Sequence, residues 1–157
     1  MGRLADTRKG IEEMTMRIKK LRENAVIPTY GSADAAGADI YACLDGEVSI
    51  APGSTVFIPT GLAMEVPKGY AGLIYARSSM GTKRGLAPAN KVGVVDSDYR
   101  GEVMVALHNH CGQTQTVRHG ERIAQLLVTP VLMPDFVECD DLSDTDRGAS
   151  GFGSTGK

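Results

Sequence analysis

Leu62-Ala63-Met64-Glu65-Val66 carries the pattern on which the fold turns. Leu62, Met64 and Val66 alternate with Ala63 and Glu65, the period of two that puts one face of a strand against a core and the other toward water. The same alternation occurs at Val48 and Ile50 and again at Val56 and Ile58. Around these pieces Pro28, Gly31, Gly37, Gly46, Pro52-Gly53, Pro59, Gly61, Pro67 and Gly69 cut the chain into segments of strand length. Val103 to Leu107 and Ile123 to Val128 are nearly continuous apolar runs, as expected of strands covered on both faces. Beyond residue 26 no capped helical pattern of ordinary length occurs, so the expected fold is all-β, a sandwich or jelly-roll with at most one short helix.

Composition narrows the class further. The chain has 157 residues, with 42% hydrophobic and 23% charged, enough to build one packed domain and too few residues for two ordinary ones. Its net charge of −2 argues against a broad phosphate-coating surface, so no nucleic-acid partner is expected. No apolar run approaches the ~20 residues that span a bilayer, and the charged first residues predict neither a secretory leader nor a membrane partner. Cys43, Cys111 and Cys139 are odd in number and unpaired by any CxxC spacing, which suits reduced thiols and a cytoplasmic location. Residues 1–15 read as a flexible extension, 16–139 as one β domain and 140–157 as a glycine-rich arm.

Two motifs in this sequence mislead. Gly151-Phe152-Gly153-Ser154-Thr155-Gly156-Lys157 fits the front of a phosphate-binding P-loop, yet no strand precedes it and no Ser or Thr for magnesium follows. The glycines and hydroxyls still suit an anion cradle. His108-Asn109-His110 sets two imidazoles on one face of a strand, with Cys111 beside them, which is too few ligands for a metal centre.

Other segments carry more chemistry. Arg77-Ser78-Ser79-Met80-Gly81 follows the strand-like Leu73-Ile74-Tyr75-Ala76, so a turn into a helix capped by Ser78 or Ser79 is expected, with Arg77 free for a bidentate phosphate contact. Asn90 to Glu102 reads as a β-hairpin in which Asp96 follows Gly93-Val94-Val95. A carboxylate there suits a base for water, although aspartates are also common turn residues. Gln125 is a lone amide in an apolar run and needs either a structural partner or a ligand.

Taken in order, five segments closely resemble the motifs of the homotrimeric dUTP pyrophosphatases (dUTPases). They are Ala36-Gly37-Ala38-Asp39-Ile40-Tyr41-Ala42, Ala76-Arg77-Ser78-Ser79-Met80, Gly93-Val94-Val95-Asp96-Ser97-Asp98-Tyr99-Arg100-Gly101-Glu102, Gly120-Glu121-Arg122-Ile123-Ala124-Gln125-Leu126, and Arg147-Gly148-Ala149-Ser150-Gly151-Phe152-Gly153-Ser154-Thr155-Gly156. The second departs from the frequent Arg-Ser-Gly-Leu-Ala, and Ser150 stands where the fifth often has glycine.

The resemblance implies a jelly-roll subunit, a threefold homotrimer with sites between subunits, and hydrolysis of dUTP to dUMP and pyrophosphate, which keeps uracil out of DNA and supplies dUMP for thymidylate. It implies Asp96 as the base for a water that attacks the α-phosphorus, with Asp39 supporting. Tyr99 would exclude a 2′-hydroxyl, and Asn90 with the backbone of Gly93, Val94 and Val95 would read uracil. Arg77, Ser78, Ser79 and Gln125 would meet phosphates. Phe152 would stack on the base, and Arg147, Gly153, Ser154 and Thr155 would close over the triphosphate. Magnesium (Mg2+) would ride on the triphosphate and water rather than on a side-chain cage. A dCTP deaminase of the same fold and a nucleotide-sensing module are the rival readings, separated by ammonia release from dCTP and by binding without turnover.

Overall fold

A computed structural model describes residues 14–151. The first 13 residues of the expected N-terminal extension, together with Phe152, Gly153, Ser154, Thr155 and most of the P-loop-like stretch, lie outside the described residues. Eleven strands and one short helix follow in order: β1 Arg17–Lys20, β2 Thr29–Tyr30, β3 Ala38–Tyr41, β4 Glu47–Ile50, β5 Thr55–Glu65, β6 Tyr70–Tyr75, α1 Ser78–Arg84, β7 Leu86–Pro88, β8 Gly93–Val95, β9 Glu102–Asn109, β10 Gln115–Arg118 and β11 Arg122–Pro130. They form a four-stranded sheet ordered β1-β5-β9-β7, a five-stranded sheet ordered β2-β3-β11-β6-β8, and a β10-β4 pair. All the pairings are antiparallel. Buried side chains from all three sheets, including Ile40, Ile50, Leu62, Met64, Leu107, Val117 and Ile123, join in one core cluster. The all-β jelly-roll class with a single short helix is the one observed among the described residues.

Leu62, Met64 and Val66 are buried as expected, but Ala63 between them is buried as well, and the strand boundaries also differ from expectation. Pro59 and Gly61 do not end a strand. β5 runs through both as one 11-residue strand, with a register shift against β9 between Pro59 and Ala63. Proline and glycine are tolerated in a strand at such a bulge. Gly61 adopts φ 67°, and its N–H is satisfied by Glu102 Oε1 at 2.8 Å. A Cβ on it would stand 2.9 Å from both Ala25 Cβ and Cys43 Sγ.

Val103 to Leu107 is covered on one face only. Val103, Val105 and Leu107 are buried, while Met104 is exposed. The hairpin expected over residues 90–102 is also absent. β8 pairs with β6 in the five-stranded sheet, whereas β9 pairs with β5 and β7 in the other. The segment from Asp96 to Gly101 is therefore a crossing between sheets, which local sequence pattern does not distinguish from a tight turn.

Asn109 closes the end of β9. Its side chain is fully buried, donates from Nδ2 to Ile50 O (2.9 Å) and Gln113 O (2.8 Å), and accepts at Oδ1 from the Cys111 backbone N–H (2.9 Å). Asn109→Ala leaves those buried groups unpaired. It is expected to lower unfolding free energy by about 1–3 kcal/mol, read as a lower urea midpoint at fixed protein concentration. An unchanged midpoint contradicts this role.

Candidate active site

The expected site residues fall into two groups on the chain. One lies at the topological centre of the five-stranded sheet. β11 runs between β3 and β6, and its Gln125 stands opposite Asp39 on one side and Tyr75 on the other. Directly opposed residues project from the same face, so this register brings the first and fourth motifs together. Arg77 leaves the end of β6 just before α1 and turns back over the same row.

Asp39 is 9% exposed. Its Oδ1 accepts from Arg77 Nε at 2.6 Å and its Oδ2 from Arg122 Nη1 at 3.2 Å. Arg77 also donates from Nη1 to Ser79 Oγ at 3.3 Å, and Gln125 donates from Nε2 to Ala76 O at 2.9 Å. A carboxylate between two guanidiniums orients both and leaves part of each donor fork for an anion. Ser78 and Ser79 are exposed beside it. Neither caps the helix. The N-cap position is Arg77, with no side-chain cap hydrogen bond, and Thr82 Oγ1 donates to Ser78 O at 2.7 Å instead.

Arg122 is the residue that sequence reasoning left without a role. Strict alternation would send Arg122 and Gln125, three positions apart, to opposite faces. A register shift between Arg122 and Ala124 restores the phase, so that Arg122 stands opposite Tyr41 and Gln125 opposite Asp39. Its trace is two consecutive fully buried residues, Ile123 and Ala124. In the sequence these resemble any covered strand.

The second group surrounds a cavity of about 310 Å³, within the range of small-ligand pockets. Asn90, Gly93, Val94, Val95, Asp96 and Tyr99 all line it. Val95 is buried at the end of β8 and fixes the start of the crossing segment. Asp96 follows and is exposed. Among the described residues its carboxylate has no hydrogen-bond or ion-pair partner, in contrast to Asp39.

Tyr99 folds back, with its N–H on Asp96 O (3.2 Å) and its hydroxyl donating to Glu102 O (2.9 Å). Gly101 makes room for this ring, because a Cβ there would lie 2.7 Å from Tyr99 Cζ. Arg100 staples the segment by donating from Nη1 to Ser97 O (2.8 Å) and Tyr99 O (2.9 Å). Its Nη2 lies 3.5 Å from Glu65. The hydrogen bond from Arg17, reinforced by the charges of Arg17 and Arg100, holds the Glu65 carboxyl below its usual range.

The two groups open separately. The depression beside Arg77, Ser79 and Arg122 shares no lining residue with the cavity around Asp96. Arg147 is exposed and makes a local contact, donating from Nε to Ser150 O at 2.9 Å. His108 and His110 stand ring to ring with centroids 4.4 Å apart. His108 Nδ1 is 2.9 Å from Thr55 Oγ1. Desolvation, with the charges of His108 and Lys91, holds the pKa of the exposed His110 below its ordinary value. Among the described residues no group of three or more His, Cys, Asp or Glu side chains is placed to hold a metal ion.

An all-β chain that gathers an arginine-clamped aspartate in one sheet and a free aspartate beside a tyrosine-walled cavity has close counterparts. The dUTPase family profile matches residues 23–156. The chain is 46% identical over 144 residues to the deoxyuridine 5'-triphosphate nucleotidohydrolase of Nautilia profundicola, covering 92% of this chain and all of that one. It is 50% identical over 131 residues to the enzyme of the same name from Desulfitobacterium hafniense, covering 83% and 87%. Among solved structures it is similar to the dUTPase of Staphylococcus bacteriophage 80alpha with dUPNHPP, with a TM-score of 0.83 and 27% identity, covering 91% of this chain and 99% of that one. This chain belongs to the dUTPase family.

Proposed function

We propose that the chain hydrolyses dUTP to dUMP and pyrophosphate at a site built from both groups. The observation that carries the reading is the pair of contrasting aspartates: Asp39 is committed to two arginines, while Asp96 lines a nucleoside-sized cavity with no partner among the described residues. Both oxygens of Asp96 are available to accept from a water molecule. In this reading Asp96 takes a proton as the water oxygen bonds to the α-phosphorus, and the bond to the bridging oxygen breaks to release pyrophosphate. Arg77, Ser78, Ser79 and Gln125 bind the phosphate chain, with Asp39 holding Arg77 in place. Asn90 and the backbone of Gly93, Val94 and Val95 contact the uracil edge. Arg147, Phe152, Gly153, Ser154 and Thr155 close over the nucleotide as a lid.

Magnesium fits this donor set as an ion carried by the substrate. Among the described carboxylates around the two groups, Asp39, Glu102 and Glu121 are already engaged and Asp96 has no partner, so phosphate oxygens and water would fill most of the six positions of the ion. When bound it supplies charge neutralisation on the triphosphate.

The separation of the two groups supports a homotrimer whose sites join Arg77 and Gln125 of one subunit to Asp96 and Tyr99 of another. Apolar side chains at the cavity and after β11 support it too. Phe57 is 65% exposed, Val94 62% and Met104 49%, and in the segment after β11 Leu132 is 96% and Phe136 95% exposed. Such exposure calls for cover by a second copy. Incubation with dUTP, dCTP, dTTP and UTP plus magnesium tests the activity. Release of dUMP and pyrophosphate from dUTP alone is expected, whereas ammonia from dCTP, or binding of dUTP without products, contradicts the reading.

Tyr99 in this reading walls off the 2′-position of the sugar. Gly101→Ala drives a methyl group into the space its ring occupies. The ratio of kcat/KM for dUTP over UTP is expected to fall about tenfold or more. An unchanged ratio would relieve Tyr99 of that role.

A further inference from the structure

The phosphate-facing elements α1 and β11 are tied at one end by Asp39 and Gln125. At the other end they are tied by a side chain that belongs to neither contact. Arg84, the last residue of α1, is turned inward with its side chain 26% exposed. Its Nε donates to Gln115 Oε1 (3.1 Å) and its Nη2 to Thr116 O (2.5 Å), both on β10. Its Nη1 pairs with Glu121 in the turn before β11, and that same nitrogen lies 3.6 Å from Met80 Sδ.

Glu121 is itself fixed, because its Oε2 accepts from the backbone N–H of Arg118 at 3.0 Å. It directly precedes Arg122, and Met80 is the buried anchor of the helix. Among the described residues no other side chain of α1 hydrogen-bonds to β10 or to this turn. A planar guanidinium with its donors spread over separate stretches of chain holds their spacing rigidly, and part burial makes the ion pair count.

We propose that Arg84 is a positioning residue for phosphate recognition, setting the distance between Ser78-Ser79 on the helix and Arg122-Gln125 on the strand. The inference rests on the reading that this cluster receives the phosphate chain, and it adds a residue outside the cluster that determines its shape. The nucleoside cavity shares no lining residue with the Arg84 network. Loss of Arg84 therefore acts on the phosphates and spares the base and sugar.

The test is calorimetric binding of dUMP and of the imido analogue of dUTP with magnesium to the full chain, alongside steady-state kinetics. For Arg84→Ala the Kd of the imido analogue and the KM for dUTP are expected to rise about tenfold or more, with the Kd of dUMP, which keeps one phosphate of the three, rising about threefold or less. Arg84→Lys keeps the charge opposite Glu121 but loses the fork, and is expected to fall between. Glu121→Gln is expected to show the same split to a smaller degree, and together with Arg84→Lys it carries the test where Arg84→Ala does not fold. Equal weakening of dUMP and the imido analogue, or no change in either, overturns the proposal. A parent protein that fails to bind the imido analogue at all overturns the dUTP reading itself.

Discussion

Asp96→Asn is expected to lower kcat for dUTP by about 10³-fold or more, while the affinity for the non-hydrolysable imido analogue stays within about threefold. The substitution keeps the shape of the side chain and removes only its ability to accept a proton from water. Because the Asp96 carboxylate supports no hydrogen bond or ion pair among the described residues, its loss strips nothing from the fold. The cavity walls are set by other groups, Val95 packed in the core and Tyr99 tied to Glu102 O. Turnover near the parent level in this variant removes Asp96 from the role of base. Loss of binding together with loss of turnover would make it a ligand contact instead.

Arg77→Ala is expected to reduce kcat/KM for dUTP by about 10²–10³-fold, with an added loss of stability. Two causes combine. The phosphate chain loses a fork of donors, and Asp39, 9% exposed, keeps only the half-exposed Arg122 as its charged partner among the described residues. A buried carboxylate stripped of its principal guanidinium is destabilising. Activity close to that of the parent contradicts the assignment. The two impaired variants together test whether the site is shared between subunits of the proposed trimer. When Asp96→Asn and Arg77→Ala subunits are unfolded, mixed in equal amounts and refolded, about a quarter of the sites in random trimers regain both residues. Recovery of activity is expected, and none is recovered if each site lies within one subunit.

Much of this architecture was legible in the sequence, and the part that was not has a common cause. Leu62, Met64 and Val66 pointed to a strand because a buried face imposes a period of two, while Pro59 and Gly61 misplaced the start of that strand. Asp96, Tyr99, Asn90 and Gly93 to Val95 were legible as a group because they are close along the chain and line one cavity. Register is different, since it is fixed by partners far away. The bulge that lets Arg122 and Gln125 face Asp39 together is a register shift against β3, a strand some eighty residues away in the chain. The run through Pro59 and Gly61 depends on Glu102, which supplies the missing partner from another strand. The separation of β8 from β9 was missed because a six-residue crossing and a hairpin turn share the same polar, aspartate-rich sequence. Arg84 gave no signal, as an arginine at a helix end is ordinary dipole chemistry until Gln115, Thr116 and Glu121 are seen around it.

In the proposed reaction a water molecule activated by Asp96 attacks the innermost phosphorus of dUTP. The most direct measurement is a single turnover in ¹⁸O-labelled water with enzyme in excess, followed by mass spectrometry of both products. One ¹⁸O in dUMP and none in pyrophosphate is the predicted result. Label in pyrophosphate with none in dUMP would place the attack on a different phosphorus and contradict the account.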